Sequence, residues 1–279
     1  MALTAPVNKI IPFSLVDGPG SRTSVFLQGC NIACAYCHNP ETQRLCVGCG
    51  TCVEQCPAHA LSVADGVIVW DEQACVGCDT CIGVCPHRAS PKVRVLTPAQ
   101  VADVVVGYQP FIRGITVSGG ECMLHPDWLR ELFSLCRAHG LGTLIDSNGT
   151  VPFWDKPELM EVADGVMLDV KAWDCATFER LTGAPNDTVL RNLAYLSDSD
   201  KIEELRIVVV PGWNDPQDTI RGIAATIGSA ARDTQLKLIK FRPFGVKGEL
   251  ARAASPTDEE MAALAACARR EGFERVEIR

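Results

Sequence analysis

Three short runs hold most of this chain's fifteen cysteines, and the first run differs in kind from the other two. Cys30, Cys34 and Cys37 stand as C-x3-C-x2-C in GCNIACAYCHNP, a triplet rather than a quartet. Cys46/Cys49/Cys52/Cys56 and Cys75/Cys78/Cys81/Cys85 each read C-x2-C-x2-C-x3-C-P. A cubane iron–sulfur cluster is normally held by one thiolate per iron. A triplet of thiolates therefore leaves one iron open to a molecule from outside, and that iron is where chemistry is expected.

Each run also has a plainer reading. The triplet could be buried thiols, or a zinc site completed by His38, and the two quartets could be structural zinc sites. The even cadence repeated twice, each time ending in Cys-Pro, matches the bacterial ferredoxin pattern instead, in which the fourth cysteine of each run ligates the other cluster. That pattern implies one cluster on Cys46, Cys49, Cys52 and Cys85, and another on Cys75, Cys78, Cys81 and Cys56. A disulfide framework belongs to small secreted chains, which this one does not resemble. Cys122, Cys136, Cys175 and Cys267 read as small buried apolar residues.

The elements that must position these cysteines follow a strand-then-helix rhythm. Ser24–Gln28, Gly114–Ser118, Gly142–Asp146, Gly165–Val170, Leu205–Val210 and Leu236–Phe241 read as strands, with Phe273–Ile278 as a short last one. Helical patterns include Asp127–His139, Thr177–Leu181 and Thr219–Ser229. Thr97-Pro98 has the form of an N-cap with proline at the first helical position, and Thr257 to Glu260 has capping-box spacing. Such repeats imply an α/β fold, a parallel sheet curled toward a partial (β/α)6 barrel. Ligands in these sheets bind at the carboxyl ends of the strands. SGGE, DSNG, DVK and PGWND fall there, which argues for one shared site. Residues 44–92 break the rhythm with the near-repeat CVGCGTCVEQCPAHAL / CVGCDTCIGVCPHRAS. The division expected is 1–43 as the first part of the barrel, 44–92 as an inserted ferredoxin-like two-cluster domain, and 93–279 as the remainder.

Composition narrows the class. A net charge of −8 argues against a nucleic-acid partner, whose phosphates demand a basic surface. No apolar run is long enough to span a bilayer, and MALTAPVNKI lacks the pattern of a secretory signal. A cytoplasmic chain is expected, with a monomer as the default.

Taken singly, the remaining motifs are weak. Gly119-Gly120 after a strand is most often a turn, as are Asp17-Gly18-Pro19-Gly20 and Asp146-Ser147-Asn148-Gly149. Asp169 and Lys171 lie two apart on a strand and share a face, as a simple ion pair would. Together, the order DGPG, C-x3-C-x2-C-HN, SGGE, DSNG, DVK and VVVPGW resembles the radical S-adenosylmethionine superfamily. Within it the chain resembles the activating enzymes of glycyl radical enzymes, in the subgroup with a ferredoxin-like insert. IIPFSLVDGPGSR, DSNG and LDVKAW look closest to the YjjW-type activases.

The resemblance implies three [4Fe–4S] clusters and S-adenosylmethionine, with Cys30, Cys34 and Cys37 on the catalytic cluster. Tyr36 and His38 would line the adenine side. Gly119, Gly120 and Glu121 would meet the methionyl end, with Glu121 on the ammonium group. Asp146, Ser147, Asp169, Val170, Lys171 and Val208 would form the cofactor and monovalent-cation neighbourhood. Asp17 and Arg206 would meet the glycine loop of the partner. Arg242 in KFRPFG stands where relatives often carry histidine, a departure that removes the basis for a ribose or sulfonium contact there and favours the cofactor's carboxylate instead. The implied reaction is one-electron cleavage of S-adenosylmethionine to methionine and a 5′-deoxyadenosyl radical, which takes an α-hydrogen from a specific glycine of a partner glycyl radical enzyme. Flavodoxin or ferredoxin would supply the electron. Two rivals make different predictions. An electron carrier would bind iron for two clusters only and leave S-adenosylmethionine intact, and a small-molecule radical enzyme would need no protein partner.

Overall fold

The structure, a computed structural model, describes residues 2–243, 245, 246 and 248–279; Phe244 of KFRPFG lies outside them. The strands among the described residues are β1 (Ala5–Ser14), β2 (Arg22–Leu27), β3 (Leu61–Ala64), β4 (Val67–Trp70), β5 (Arg94–Leu96), β6 (Gly114–Gly119), β7 (Gly142–Ser147), β8 (Gly165–Asp169), β9 (Ile202–Val209), β10 (Gln235–Lys240) and β11 (Val276–Ile278). The α-helices are α1 (Thr80–Gly83), α2 (Pro98–Val106), α3 (Pro126–Ala138), α4 (Pro157–Val162), α5 (Cys175–Thr182), α6 (Asp187–Asp198), α7 (Pro216–Ile227) and α8 (Asp258–Arg270).

One sheet runs β11-β10-β9-β8-β7-β6-β2-β1-β5. From β2 to β11 every neighbour is parallel, whereas β1 pairs antiparallel with β2 and with β5. The expected strands and the late β11 are all present. Strands β1 and β5 carry no clear sequence signal. Pro6 and Pro12 interrupt the apolar pattern of β1, and its register with β2 shifts twice, as prolines in a sheet require. Helix starts follow local chemistry: Thr97 with Gln100 and Thr257 with Glu260 both form full capping boxes.

Side chains along the parallel strands alternate between two very different surroundings. Val25, Leu27, Ile115, Val117, Val166, Leu168, Leu205, Ile207, Leu236 and Leu238 join the buried core with helix residues such as Val105, Leu132, Phe133 and Ile223. The intervening residues include Ser24, Thr116, Ser118, Asp146, Asp169, Glu204, Arg206 and Lys237. A sheet buried on both faces would carry apolar residues on both; here the second face is polar because it borders a cavity.

Residues 44–92 stand outside this sheet. Their hairpin β3–β4 turns at Asp65-Gly66, both with positive φ (50° and 75°), the conformation that an Asp-Gly hairpin turn favours. A single parallel bridge, Arg44 to Ala89, ties the segment's two ends together. The local apolar core consists of Leu61 and Ile68 with Cys52 and Cys81 themselves.

Candidate active site

The loop carrying Cys30, Cys34 and Cys37 follows β2 and is stapled to the structure around it. Gly29 N–H donates to Thr42 O (2.8 Å) and Cys30 N–H to Gln43 O (2.9 Å). Farther on, Ala33 and Ala35 N–H donate to Thr182 O (2.9 Å) and Leu181 O (2.8 Å), carbonyls left unpaired at the C-terminus of α5. Buried Gln28 closes the base of the loop through Nε2 to the carbonyls of Glu41 and Arg44, both at 2.6 Å. Gly120 fits because a side chain there would sit 2.0 Å from Gly29 O. Bare backbone lets the SGGE turn press against the cysteine loop.

Cys30, Cys34 and Cys37 open on a cavity of about 210 Å³ at the carboxyl ends of the parallel strands. Tyr36, His38, Gly119, Gly120, Asp146, Ser147, Asp169, Lys171, Arg206 and Val208 share its wall. The expected residues therefore converge, with four exceptions. Glu121 is 1% exposed and off the wall. Its carboxylate already accepts from Met123 N (2.9 Å), Ser147 Oγ (2.9 Å) and Asn148 N (2.8 Å), so it pins the β7 turn from behind instead of facing a ligand's amine. Val170 is fully buried in the apolar core and is likewise off the wall. Asp17 and Arg242 line a neighbouring cavity, which shares His38, Arg206 and Ile239 with the first. Asp17 is held there by Ser14 Oγ and Ser24 Oγ, each donating at 2.6 Å.

Among the leftover cysteines, Cys122, Cys136 and Cys267 are buried as expected. Cys175 is exposed at the start of α5, because that first turn faces away from the core.

Charge is densely paired behind the cavity. Arg206 Nη1 meets Asp146 at 2.9 Å while its Nε donates to Glu204, and Lys237 reaches Glu204 at 2.7 Å. Burial pushes Asp146 up, and the Arg206 guanidinium opposes that rise. Burial pulls Lys171 down, but the Asp169 carboxylate 2.7 Å away, with Tyr36 and Cys34, together outweighs it and holds the ammonium well above its ordinary range. The same ammonium stands 5.8 Å from the Tyr36 ring centroid. His38, stacked on Phe241, is lowered by burial and then by the charge of Arg242. Burial raises all three thiols, Cys34 to about 12, with Lys171 pulling it the other way. Loading a metal centre here must therefore displace protons.

The residues present fit an iron–sulfur cluster with a polar ligand on its open iron. The Tyr36 hydroxyl is buried on the cavity wall without a hydrogen-bond partner. Among the described residues, no three His, Cys, Asp or Glu converge tightly enough for one metal ion. A cubane spreads its thiolates over separate irons.

The contacts of two residues went unread in the sequence. Asn148 Nδ2 reaches Cys30 Sγ at 3.6 Å and Asn31 Oδ1 at 3.2 Å, although it sits inside the DSNG motif that offered the signal. Gln43 Nε2 donates to Cys34 O at 3.2 Å, from a position outside any motif.

In residues 44–92 the eight cysteines sort into two further cavities. Cys46, Cys49, Cys52 and Cys85 line one, and Cys56, Cys75, Cys78 and Cys81 line the other. Each grouping takes its fourth cysteine from the opposite run.

Comparison with known proteins gives the family. The sequence model of the radical SAM superfamily matches residues 24–222. The choline trimethylamine-lyase activating enzyme of Oleidesulfovibrio alaskensis is 30% identical over 262 residues, covering 88% of this chain and 84% of that one. The indoleacetate decarboxylase activating enzyme of Tractidigestivibacter scatoligenes is 30% identical over 295 residues, covering 94% of each. Among solved structures, SuiB of Streptococcus suis bound to S-adenosylmethionine shares the fold at a TM-score of 0.55. It has 11% identity, over 90% of this chain and 48% of that one. The chain belongs to the radical SAM superfamily. Within it, the chain is one of the glycyl-radical-enzyme activating enzymes.

Proposed function

We propose that Cys30, Cys34 and Cys37 hold a [4Fe–4S] cluster whose open iron takes S-adenosylmethionine, and that the enzyme uses the pair to activate a partner glycyl radical enzyme. When bound, cluster and cofactor supply a one-electron cleavage to methionine and a 5′-deoxyadenosyl radical, which takes the α-hydrogen of one glycine in the partner. The chain's own residues position and shield. Tyr36 and His38 border the adenine side, with the unpartnered Tyr36 hydroxyl free to bond a polar atom of the cofactor. Gly119 and Gly120 offer backbone at the methionyl end. Asp146, Ser147, Asp169, Lys171 and Val208 fix the rest of the wall, and the carboxylates among them suit a monovalent cation. Arg206, shared between the two neighbouring cavities, and Asp17, on the second of them, receive the partner's glycine loop. Arg242, off the first cavity, acts at the entrance and not on the cofactor's carboxylate.

The reading rests on one observation: a thiol triplet and an unpaired hydroxyl open on the same cavity at the strand ends. Residues 44–92 form a ferredoxin-like insert with a cluster in each four-cysteine cavity, and these relay electrons from a flavodoxin or ferredoxin. The motif pattern favours a YjjW-type activase, acting as a cytoplasmic monomer. Anaerobic reconstitution with candidate partners tests the whole. The expected results are 5′-deoxyadenosine and a glycine-centred paramagnetic signal; cofactor left intact under strong reductant would refute it.

A further inference from the structure

The two halves of the duplicated segment are unequal in ways that would set apart the clusters they hold. This inference rests on the proposed cluster content of residues 44–92. Strand β4 sends alternate residues, which share one face, to the two cavities. Ile68 lines the cavity of Cys46, Cys49, Cys52 and Cys85, and Trp70 lines that of Cys56, Cys75, Cys78 and Cys81. Ile68 brings only hydrocarbon. Trp70 brings an indole N–H that is buried without an acceptor. A buried donor left unpaired is costly and rare, so an acceptor absent from the polypeptide is implied.

A second difference lies in the backbone. Ala60 N–H donates to Cys56 Sγ at 3.3 Å. Its counterpart in the repeat, four residues past Cys85, is Ala89, which instead bridges to Arg44. The third difference is polarity: the ion pair of Lys92 and Asp79 lines the Trp70 cavity, where the neighbouring Pro91 lines the other. The Thr51–Cys49 and Thr80–Cys78 contacts, at 3.4 Å and 3.3 Å, are equivalent and cancel in the comparison. His87 on the Ile68 cavity is exposed and solvated.

Hydrogen bonds to the sulfurs raise the potential of an iron–sulfur cluster, because they stabilise the extra negative charge of the reduced state. We infer that Trp70 Nε1 donates a hydrogen bond to a sulfur of the cluster on Cys56, Cys75, Cys78 and Cys81, making that cluster the more easily reduced of the insert's two. It is where a first electron would come to rest.

The test is a redox titration of the full-length, reconstituted enzyme followed by electron paramagnetic resonance, beside Trp70→Phe. Wild type should show the two insert clusters reduced at separate potentials. In Trp70→Phe the higher one alone should move to a more negative value, with iron and sulfide content unchanged. Full iron with neither potential moved, or with both moved equally, overturns the inference. Iron for the first triplet alone would remove the cluster content of the insert, and this inference with it. A second measurement avoids any folding defect of the variant. In wild type labelled with 15N at the indole nitrogens, the first-reduced insert cluster should show a 15N coupling, and its absence also overturns the proposal.

Discussion

In the barrel, Cys30, Cys34 and Cys37 ride on a loop bonded at both ends, above strands whose outward residues are fully buried. In residues 44–92, Cys46, Cys49 and Cys78 are exposed, and the core comes down to Leu61 and Ile68 with two of the cysteines themselves. Val47, Val63, Val67, Val69 and Val76 all face solvent. A segment that buries so little apolar surface gains little from hydrophobic burial alone. The barrel is a polypeptide core that presents a metal site. Under the proposed cluster content, residues 44–92 are the reverse, a polypeptide that would wrap on its metal centres.

The largest effect expected from this contrast is on turnover. Cys34→Ala removes one of the three thiolates beneath the cavity, and formation of 5′-deoxyadenosine should fall to background. The barrel's circular dichroism should persist, as should the iron that the proposed clusters of residues 44–92 would hold. Retained turnover would show that the triplet is not the reacting centre.

Removing the metal should then separate the two regions. After anaerobic chelation, amides of 44–92 are expected to exchange freely with solvent, while those of β6, β7, β8 and β9 stay protected. Equal protection in both regions would mean that the insert folds on its own core.

How much of this was legible beforehand follows the same divide. The barrel strands announce themselves as apolar runs ended by glycine or polar motifs, and their order places SGGE, DSNG and DVK at one rim. What was unreadable depends on contacts between distant segments. Gln43 and Gln28 belong to no motif and matter only because the loop after β2 returns past them. Glu121 sits inside a recognisable motif, yet the sequence could not show that its carboxylate turns inward to Ser147 and Asn148. In residues 44–92 the cadence of cysteines matches the two cavity linings directly, because it follows a pattern in which each repeat lends its fourth cysteine to the other group. The difference between Ile68 and Trp70 as cavity walls needed the pairing of β3 with β4.

A buried charge network sharpens the comparison further, since the insert has nothing like it among the described residues. Arg206→Met leaves Asp146 with Ser118 as its remaining donor and Glu204 with Lys237. Breaking a buried pair from one side costs about 3–5 kcal/mol. The barrel's thermal midpoint should drop accordingly, with exchange in the insert of the metal-loaded enzyme little changed. A loss below about 1 kcal/mol, the range of surface pairs, would show that the network is solvated in solution.

The smallest effect expected is a pH dependence confined to the barrel. Burial raises Glu121 to about 7 from an ordinary 4.5, even though Asn148 N, Met123 N and Ser147 Oγ all donate to it. An acid whose folded pKa lies above its unfolded one binds protons more tightly in the native state. Its contribution is fully present below about pH 4.5 and is lost as pH rises through 7. A difference of that size corresponds to about 3 kcal/mol at most. Glu121→Gln cannot ionise, so wild type should lose stability relative to this variant between pH 5 and pH 8 (~1–3 kcal/mol). Chemical denaturation of both proteins across that range measures the gap, and other titrating groups cancel in the difference. A gap that stays flat with pH would place the Glu121 carboxylate in contact with water, and the pin behind the β7 turn would be looser than the hydrogen bonds describe.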